Sequence, residues 1–146
     1  MSKCCTEAER CINYKRVYND IKLFTPSPVS TSEALAASSV STVQDLGVDL
    51  IIVLTNTGHL ARLVAKYRPS VPILACSVHL SVIRQLNITR GVISTVVNSL
   101  VGNDAHLIVK ARDNGLTRPG RKVIIIHGTD EETPDETCIC KIHEVE

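Results

Sequence analysis

Aromatic residues are scarce in this chain, which has no tryptophan, one phenylalanine and three tyrosines among 146 residues. Its core must therefore be aliphatic, and buried strands rich in Val and Ile are typical of parallel sheets. Long apolar runs are also missing, because no stretch approaches the ~20 residues that are needed to span a bilayer. We therefore expect no membrane partner.

Cysteine spacings typical of metal or redox sites are absent too. The six cysteines, at positions 4, 5, 11, 76, 138 and 140, form no CxxC motif and suit neither a zinc site nor a disulfide framework. Cys138 and Cys140 fall on one face of the last predicted strand, where we interpret them as small core residues rather than a redox or metal pair. The polar amino terminus does not resemble a signal peptide. These features predict reduced thiols and a cytoplasmic location.

The net charge is only +1, so no excess of one sign indicates a nucleic-acid partner. The distribution is uneven, since residues 127–146 carry seven acids and one base, while residues 1–126 carry eight acids and fifteen bases. Most of these acids lie in the run Thr129–Glu136, which lacks the ordered spacing of an EF-hand. We interpret this run as a solvated loop rather than a cation site.

Strand and helix patterns alternate through the second half of the chain, as in a parallel α/β sheet. Strands are predicted at 50–55, 72–77, 92–97 and 122–128, and helices at 58–68, 79–87 and 102–114. Two helices precede them, over residues 3–22 and from a Ser30–Glu33 capping box to Gly47. The final run, Thr137–Val145, follows a loop too short for a crossover helix. We therefore predict an antiparallel strand near a sheet edge.

The turn after the first strand is the best candidate for a ligand site. It comprises Thr55, Asn56, Thr57, Gly58, His59 and Leu60. Turns at the carboxyl ends of parallel strands bind ligands in such folds, and the following helix offers unpaired amides and the positive end of its dipole. The threonine hydroxyls add donors, and Gly58 permits close approach. The alternative is an ordinary connection, since the turn is neither GxGxxG nor a P-loop.

No catalytic or metal-binding motif is apparent in the sequence. The five histidines, at positions 59, 79, 106, 127 and 143, show no metal-ligand spacing. No GxSxG motif, carboxylate pair or nucleophile–base arrangement occurs either. We therefore expect this chain to contain no catalytic residue, no metal site and no cofactor.

Several long motifs together resemble the C-terminal domain of pyruvate kinase. They are KCCTEAERCI at Lys3–Ile12, SEALAASSVSTVQDL at Ser32–Leu46, LIIVLTNTG, LVAKYRP and PIL within Leu50–Leu74, Arg90-Gly91-Val92, and the run from Gly115 to Ile124. The resemblance covers essentially the whole chain. It implies a three-layer α/β/α sandwich with a five-stranded, mostly parallel sheet and an antiparallel last strand. It also implies that residues 1–28 are a barrel-exit helix and linker, and that residues 29–146 are the sandwich.

The resemblance implies a regulatory and assembly role. Pyruvate kinase transfers a phosphoryl group between phosphoenolpyruvate and ADP with Mg²⁺ and K⁺, which bind to a catalytic barrel that we do not expect in this chain. In that family the C-terminal domain binds effectors, often sugar bisphosphates, and contacts its counterpart near the last strand. Thr55, Thr57 and Gly58 match the family's phosphate-binding loop, whereas His59 and Leu60 depart from it. We therefore expect a phosphorylated metabolite or anion at this turn, and a homo-oligomer formed through Thr137–Val145.

Fructose-1,6-bisphosphate is not expected to bind strongly. The chain lacks the tryptophan of sensitive family members, and its final loop carries five carboxylates that would repel a bisphosphate. A stand-alone α/β protein that binds a phosphorylated small molecule is the alternative function. An independent small α/β enzyme is disfavoured, because no catalytic motif is visible.

Overall fold

Helices and strands alternate along the chain, as predicted. The computed structural model describes residues 4, 7–9, 11–100, 104–128 and 138–145. The helices are α1 (Tyr14–Phe24), α2 (Thr31–Leu46), α3 (His59–Lys66), α4 (Leu80–Leu86) and α5 (Asp104–Asp113). The strands are β1 (Leu50–Leu54), β2 (Ile73–Ser77), β3 (Val92–Val96), β4 (Lys122–Gly128) and β5 (Cys138–Glu144). All of the strands and the last three helices end within two residues of the predicted bounds.

The strands form one mixed sheet in the order β3–β2–β1–β4–β5. β1 runs parallel to β2 and β4, and β2 runs parallel to β3. β5 is antiparallel to β4, and Ile124 is paired with Ile142 in that register. The predicted mostly parallel sheet, with its antiparallel last strand at an edge, is therefore confirmed.

Alternate residues of β1 enter two separate cores. Ile51 and Val53 pack in the first core with α2 and α3, together with Tyr18 of α1 and Leu86 of α4. The other three residues of β1 pack in the second core with α5. Helices therefore cover both faces of the sheet, which confirms the three-layer sandwich.

Both ends of α2 carry the capping residues that the sequence predicted. The hydroxyl of Ser30 accepts a hydrogen bond from the amide of Glu33 at 3.2 Å. At the other end Gly47 adopts a left-handed conformation with φ of 62°, and its N–H donates to the carbonyl of Val43. Between these caps, small side chains such as Ala36 are fully buried, so α2 packs closely against its neighbours.

The single helix predicted over residues 3–22 is wrong in its middle. Cys11, Ile12 and Asn13 are not helical, and a new helix begins at Tyr14. The side chain of Asn13 accepts a hydrogen bond from the amide of Arg16 at 3.1 Å, which is how Asn caps a helix amino terminus. The break therefore has a local cause, because Asn13 begins a helix rather than continuing one.

Glu33 joins the start of α2 to the end of α3. Its carboxylate binds the end of α3, a partner that the Ser30–Glu33 spacing did not predict. The carboxylate accepts hydrogen bonds from the ammonium of Lys66 and, at 3.1 Å, from the hydroxyl of Tyr67. The hydrogen bond from Lys66 is the main reason why the pKa of Glu33 is lowered. The ring of Tyr67 also lies 5.9 Å from the ring of Tyr18, so the same cluster holds α1.

Replacing Glu33 should make stability depend less on pH. Glu33→Gln should lower the free energy of unfolding by about 1–2 kcal/mol at neutral pH, because it removes a hydrogen bond to a charged donor. The folded-state pKa of Glu33 lies below its ordinary value of 4.5. Its contribution is therefore present above that value and is lost as the pH falls through the folded-state pKa. Urea denaturation at neutral pH and near pH 3 measures both effects.

The matched control is Asp45→Asn, which neutralises an exposed acid on the same helix. It should change stability little at either pH. An undiminished cost of Glu33→Gln near pH 3 would contradict the assigned role of the carboxylate.

Candidate functional site

The turn Thr55–Leu60 lies at the carboxyl edge of the sheet, beside the point where the strand order reverses. From β1 the chain moves to β2 on one side, and it returns from β3 to β4 on the other side of β1. In open α/β sheets, ligands bind in the crevice outside such a switch point. The predicted turn therefore occupies the position in this fold where a ligand is most expected.

Two threonines shape the turn by accepting hydrogen bonds from its backbone. Thr55 is fully buried, and its hydroxyl oxygen accepts from the amide of Gly58 at 3.0 Å. The hydroxyl oxygen of Thr57, whose side chain is exposed, accepts from the amide of His59 at 3.2 Å. The amide of Thr55 also extends the sheet by donating to the carbonyl of Cys76 at 3.0 Å. The hydroxyls thus organise the turn internally, whereas the sequence had suggested only that they donate to a ligand.

Gly58 allows the turn to approach α4 closely. It caps the start of α3 in a left-handed conformation with φ of 80°, and its carbonyl accepts from the amide of Arg62. A Cβ atom at this position would lie 3.1 Å from Val82 and 3.2 Å from Leu86. Glycine is therefore required here both by the backbone conformation and by the contact with α4.

The remaining predicted residues divide between the core and the surface. Leu60 is fully buried in the first core, so its side chain contacts protein rather than solvent. His59 is exposed at the first position of α3, and Asn56 is half-buried before it. The amides of Leu60 and Ala61 fall in the first helical turn, where no preceding helical carbonyl can accept from them. The turn can thus offer backbone amides, the Thr57 side chain and an imidazole to an anion.

Arg62 is a cation near this turn that the sequence analysis did not single out. It is exposed on α3, three residues after His59, and this spacing makes the two side chains neighbours on a helix surface. Its guanidinium donates to the side-chain oxygen of Gln85 on α4 at 3.1 Å. The helical spacing from His59 was the signal that would have identified it.

The metal-ligating residue types do not converge within the described ranges. No group of three or more His, Cys, Asp or Glu residues there could hold a metal ion. His79 precedes α4, His106 is exposed on α5, and His127 and His143 lie on β4 and β5. The acidic run Thr129–Glu136 lies outside the described residues, so its interpretation as a solvated loop stays a prediction.

The described cysteines are free thiols in different environments. Cys76 is fully buried in β2, and burial raises its pKa to about 12, which keeps the thiol protonated and unreactive. Cys140 is partly buried against the first core, where the hydroxyl of Ser39 lies 3.7 Å from its sulfur. Cys4 and Cys11 are exposed. The core interpretation therefore holds for Cys140, while the side chain of Cys138 lies outside the described residues.

Comparison with known proteins identifies the family. A family model described as "Pyruvate kinase, alpha/beta domain" matches residues 33–143. This chain belongs to the pyruvate kinase family. It is 38% identical to the pyruvate kinase of Eimeria tenella and 41% identical to that of Dictyostelium discoideum, with 100% and 94% of this chain covered. The chain spans 28% of the length of each of these relatives.

Solved structures of pyruvate kinase share the fold. The Cryptosporidium parvum pyruvate kinase in complex with ADP superposes with a TM-score of 0.92 at 37% identity. The match covers 99% of this chain and 30% of the C. parvum chain. The predicted resemblance to the pyruvate kinase C-terminal domain is therefore confirmed. Within the described ranges, no helix is both long and apolar enough to cross a membrane.

Substituting the turn glycine tests the contact with α4. Gly58→Ala should lower the free energy of unfolding by about 2–3 kcal/mol, because a strained backbone is combined with crowding against Val82 and Leu86. Gly47→Ala is the matched control, since Gly47 also has a positive φ but no atom lies within 4 Å of a Cβ there. The control should lose only about 1 kcal/mol. Denaturation in urea measures both losses, and equal losses would contradict the packing argument.

Proposed function

We propose that this domain binds a phosphorylated metabolite or a single inorganic anion at the turn Thr55–Leu60, and that occupancy regulates the protein to which the domain belongs. The observation that carries the proposal is the placement of a glycine-capped helix start at the switch point of the sheet. Anions are favoured at helix amino termini by the unpaired amides and by the helix dipole.

The exposed groups of the turn suit one phosphate better than two. The dipole of a short helix contributes about 0.3–1 kcal/mol for an exposed anion. Thr57 and His59 can add polar contacts, but the turn has no P-loop lysine. We therefore expect a dissociation constant on the order of 1 mM for inorganic phosphate, which is about −4 kcal/mol. The chain also carries five acids between residues 130 and 136, and this negative charge disfavours a ligand with a second phosphate.

For the whole protein, we propose phosphoryl transfer from phosphoenolpyruvate to ADP. On this proposal Mg²⁺ and K⁺ bind to a catalytic barrel and not to this domain. This proposal is supported by the names of the relatives and by their greater length. A cytoplasmic location is likewise supported by a relative described as the cytosolic isozyme of Glycine max pyruvate kinase, at 32% identity. On this proposal the present domain regulates the reaction and does not catalyse it.

We further propose that β5 mediates self-association. β5 ends the sheet, so one side of its backbone has no neighbouring strand among the described residues. Ile139 and Ile142 are 38% and 48% exposed there. An exposed strand edge with apolar side chains favours pairing with another chain. A second copy would extend the sheet across a two-fold axis.

Titration with inorganic phosphate tests the anion site. Amide chemical shifts of residues 56–61 should move with a dissociation constant on the order of 1 mM at near-physiological salt. His59→Ala should weaken binding a few-fold, because it removes an exposed polar side chain from the turn. His106→Ala is the matched control, since His106 is exposed on α5. Shifts that are spread over the surface, or absent from residues 56–61, would contradict the proposal.

Fructose-1,6-bisphosphate provides a second titration in the same experiment. It should bind no more than a few-fold tighter than phosphate, because the turn offers groups for one phosphate and the five acids in the sequence between residues 130 and 136 disfavour further negative charge. Low-micromolar binding by calorimetry would show that the acidic run does not govern ligand choice.

Light scattering tests self-association. The unmodified chain should form a dimer at high micromolar concentration, and Ile142→Lys should shift it toward the monomer, because a lysine on an edge strand disfavours strand pairing. Ile88→Lys is the matched control, since Ile88 is 90% exposed and lies after α4, close to the opposite edge of the sheet. A monomer for the unmodified chain would refute the β5 interface.

A further inference from the structure

Arg90 bridges the break at residues 11–13, which separates α1 from the helical residues 7–9. Its Nε donates to the carboxylate of Glu9 at 3.1 Å, and its Nη2 donates to the hydroxyl of Tyr14 at 3.2 Å. The guanidinium also lies 5.9 Å from the centre of the Tyr14 ring. Glu9 precedes the break, and Tyr14 is the first residue of α1. One side chain thus holds both sides of the break at once.

Residues Glu7, Ala8 and Glu9 are exposed, so burial of apolar surface contributes little to their position. The amides of Cys11 and Ile12 donate to the carbonyls of Ala8 and Glu9, whereas the amide of Tyr14 donates to the carbonyl of Ile12, two residues before it. The regular helical ladder is therefore interrupted, and the direction of the segment depends on polar contacts with the sandwich.

The geometry of Arg90 makes these contacts stronger than an ordinary surface pair. An exposed ion pair contributes little to stability, because water and salt screen the charges and two long side chains lose conformational freedom when they pair. Here a planar guanidinium combines an ion pair, a second hydrogen bond and an aromatic contact, and its fixed fork of donors loses less conformational freedom for each hydrogen bond than a lysine ammonium would. Arg90 is also held in a tight turn, because the amide of Val92 donates to the carbonyl of Thr89 at 3.2 Å.

α4 connects this turn to the candidate anion site. Val82 and Leu86 of α4 are the side chains that a Cβ at Gly58 would meet, and the carbonyl of Leu86 accepts from the amide of Thr89 at 2.9 Å, one residue before Arg90. The hydroxyl of Ser94 on β3 donates to the carbonyl of Ile83 at 3.1 Å, which ties α4 to the strand that follows Arg90. A displacement of α4 at Gly58 would therefore move the turn that carries Arg90.

We propose that Arg90 is the positioning residue that fixes the angle between the segment before Asn13 and the sandwich. On the same proposal, α4 transmits changes in the turn Thr55–Leu60 to Arg90. The role of Arg90 stands by itself, whereas its regulatory meaning rests on the proposed function of the turn.

Hydrogen exchange of the whole chain, followed by mass spectrometry, tests the role of Arg90. Arg90→Gln should make amides 11–17 exchange about 5- to 20-fold faster, because the contacts that order both sides of the break are lost. Amides of β1 and β2 should be unaffected. Arg90→Lys, which keeps the charge without the planar fork, should give an intermediate increase.

Arg84→Gln is the matched control, because Arg84 is exposed on α4 and the substitution removes the same charge. It should leave amides 11–17 unchanged. Unchanged exchange at these amides in Arg90→Gln, or an equal increase in Arg84→Gln, would overturn the proposal.

A second pair of variants tests transmission through α4 without any anion. Gly58→Ala, compared with Gly47→Ala, should accelerate exchange at amides 11–17 by at least about 3-fold after normalisation to β1. If Gly58→Ala folds poorly, Val82→Ala takes its place in this test. It removes the side chain nearest to a Cβ at Gly58 and should also accelerate exchange at amides 11–17. Both effects should vanish when Arg90→Gln is also present.

Acceleration confined to α3 and α4 would overturn the transmission step while leaving the role of Arg90 intact. Because neither experiment requires phosphate, these outcomes are distinguishable from a failure of phosphate to bind at the turn. The two proposals are thus tested separately.

Discussion

The complete burial of β1 is the constraint on which the rest of the structure depends. All five residues of Leu50–Leu54 are buried, and the strand lies in the middle of the sheet. Its backbone groups cannot bond to water, so they must pair with β2 on one side and β4 on the other. Its side chains alternate between two cores, so both faces of the sheet need helices. The chain can meet water again only beyond the carboxyl end of β1, and the candidate site therefore lies in the turn that begins at Thr55.

Features encoded within a few residues could be predicted from the sequence. The apolar runs of β1 and β4 predict buried strands, and the short loop before β5 predicts its antiparallel direction. Gly47 ends α2 as expected, because the left-handed stop needs only a glycine at the right position. Ser30 caps α2 as expected, because its acceptor lies three residues from the amide that it satisfies. In each case the residues that determine the feature lie within a few positions of one another in the sequence.

Features that depend on distant partners could not be predicted in the same way. Glu33 matches a capping box, yet its carboxylate binds Lys66, which lies 33 residues away and offers a charged donor. α1 likewise depends on a distant partner, because the hydroxyl of Tyr18 donates to the carbonyl of Ala37 at 3.0 Å. For the turn, the sequence identifies Thr55 and Leu60 as neighbours of a ligand site. Only the fold shows that both side chains are buried.

Family membership and ligand identity are separable in this domain, because different residues encode them. Membership follows from the strands and helices that build the sandwich, and these residues are mostly buried. At the proposed anion site, ligand identity would depend on a few surface groups around the turn, where Gly58 and Thr55 maintain the backbone while His59 and Thr57 are exposed. Changes at exposed positions cost little stability, so the binding chemistry can diverge while the frame is retained. The close packing of Gly58 against α4 is retained even so, because it belongs to the frame, and on our proposal a ligand at the turn would act through this helix.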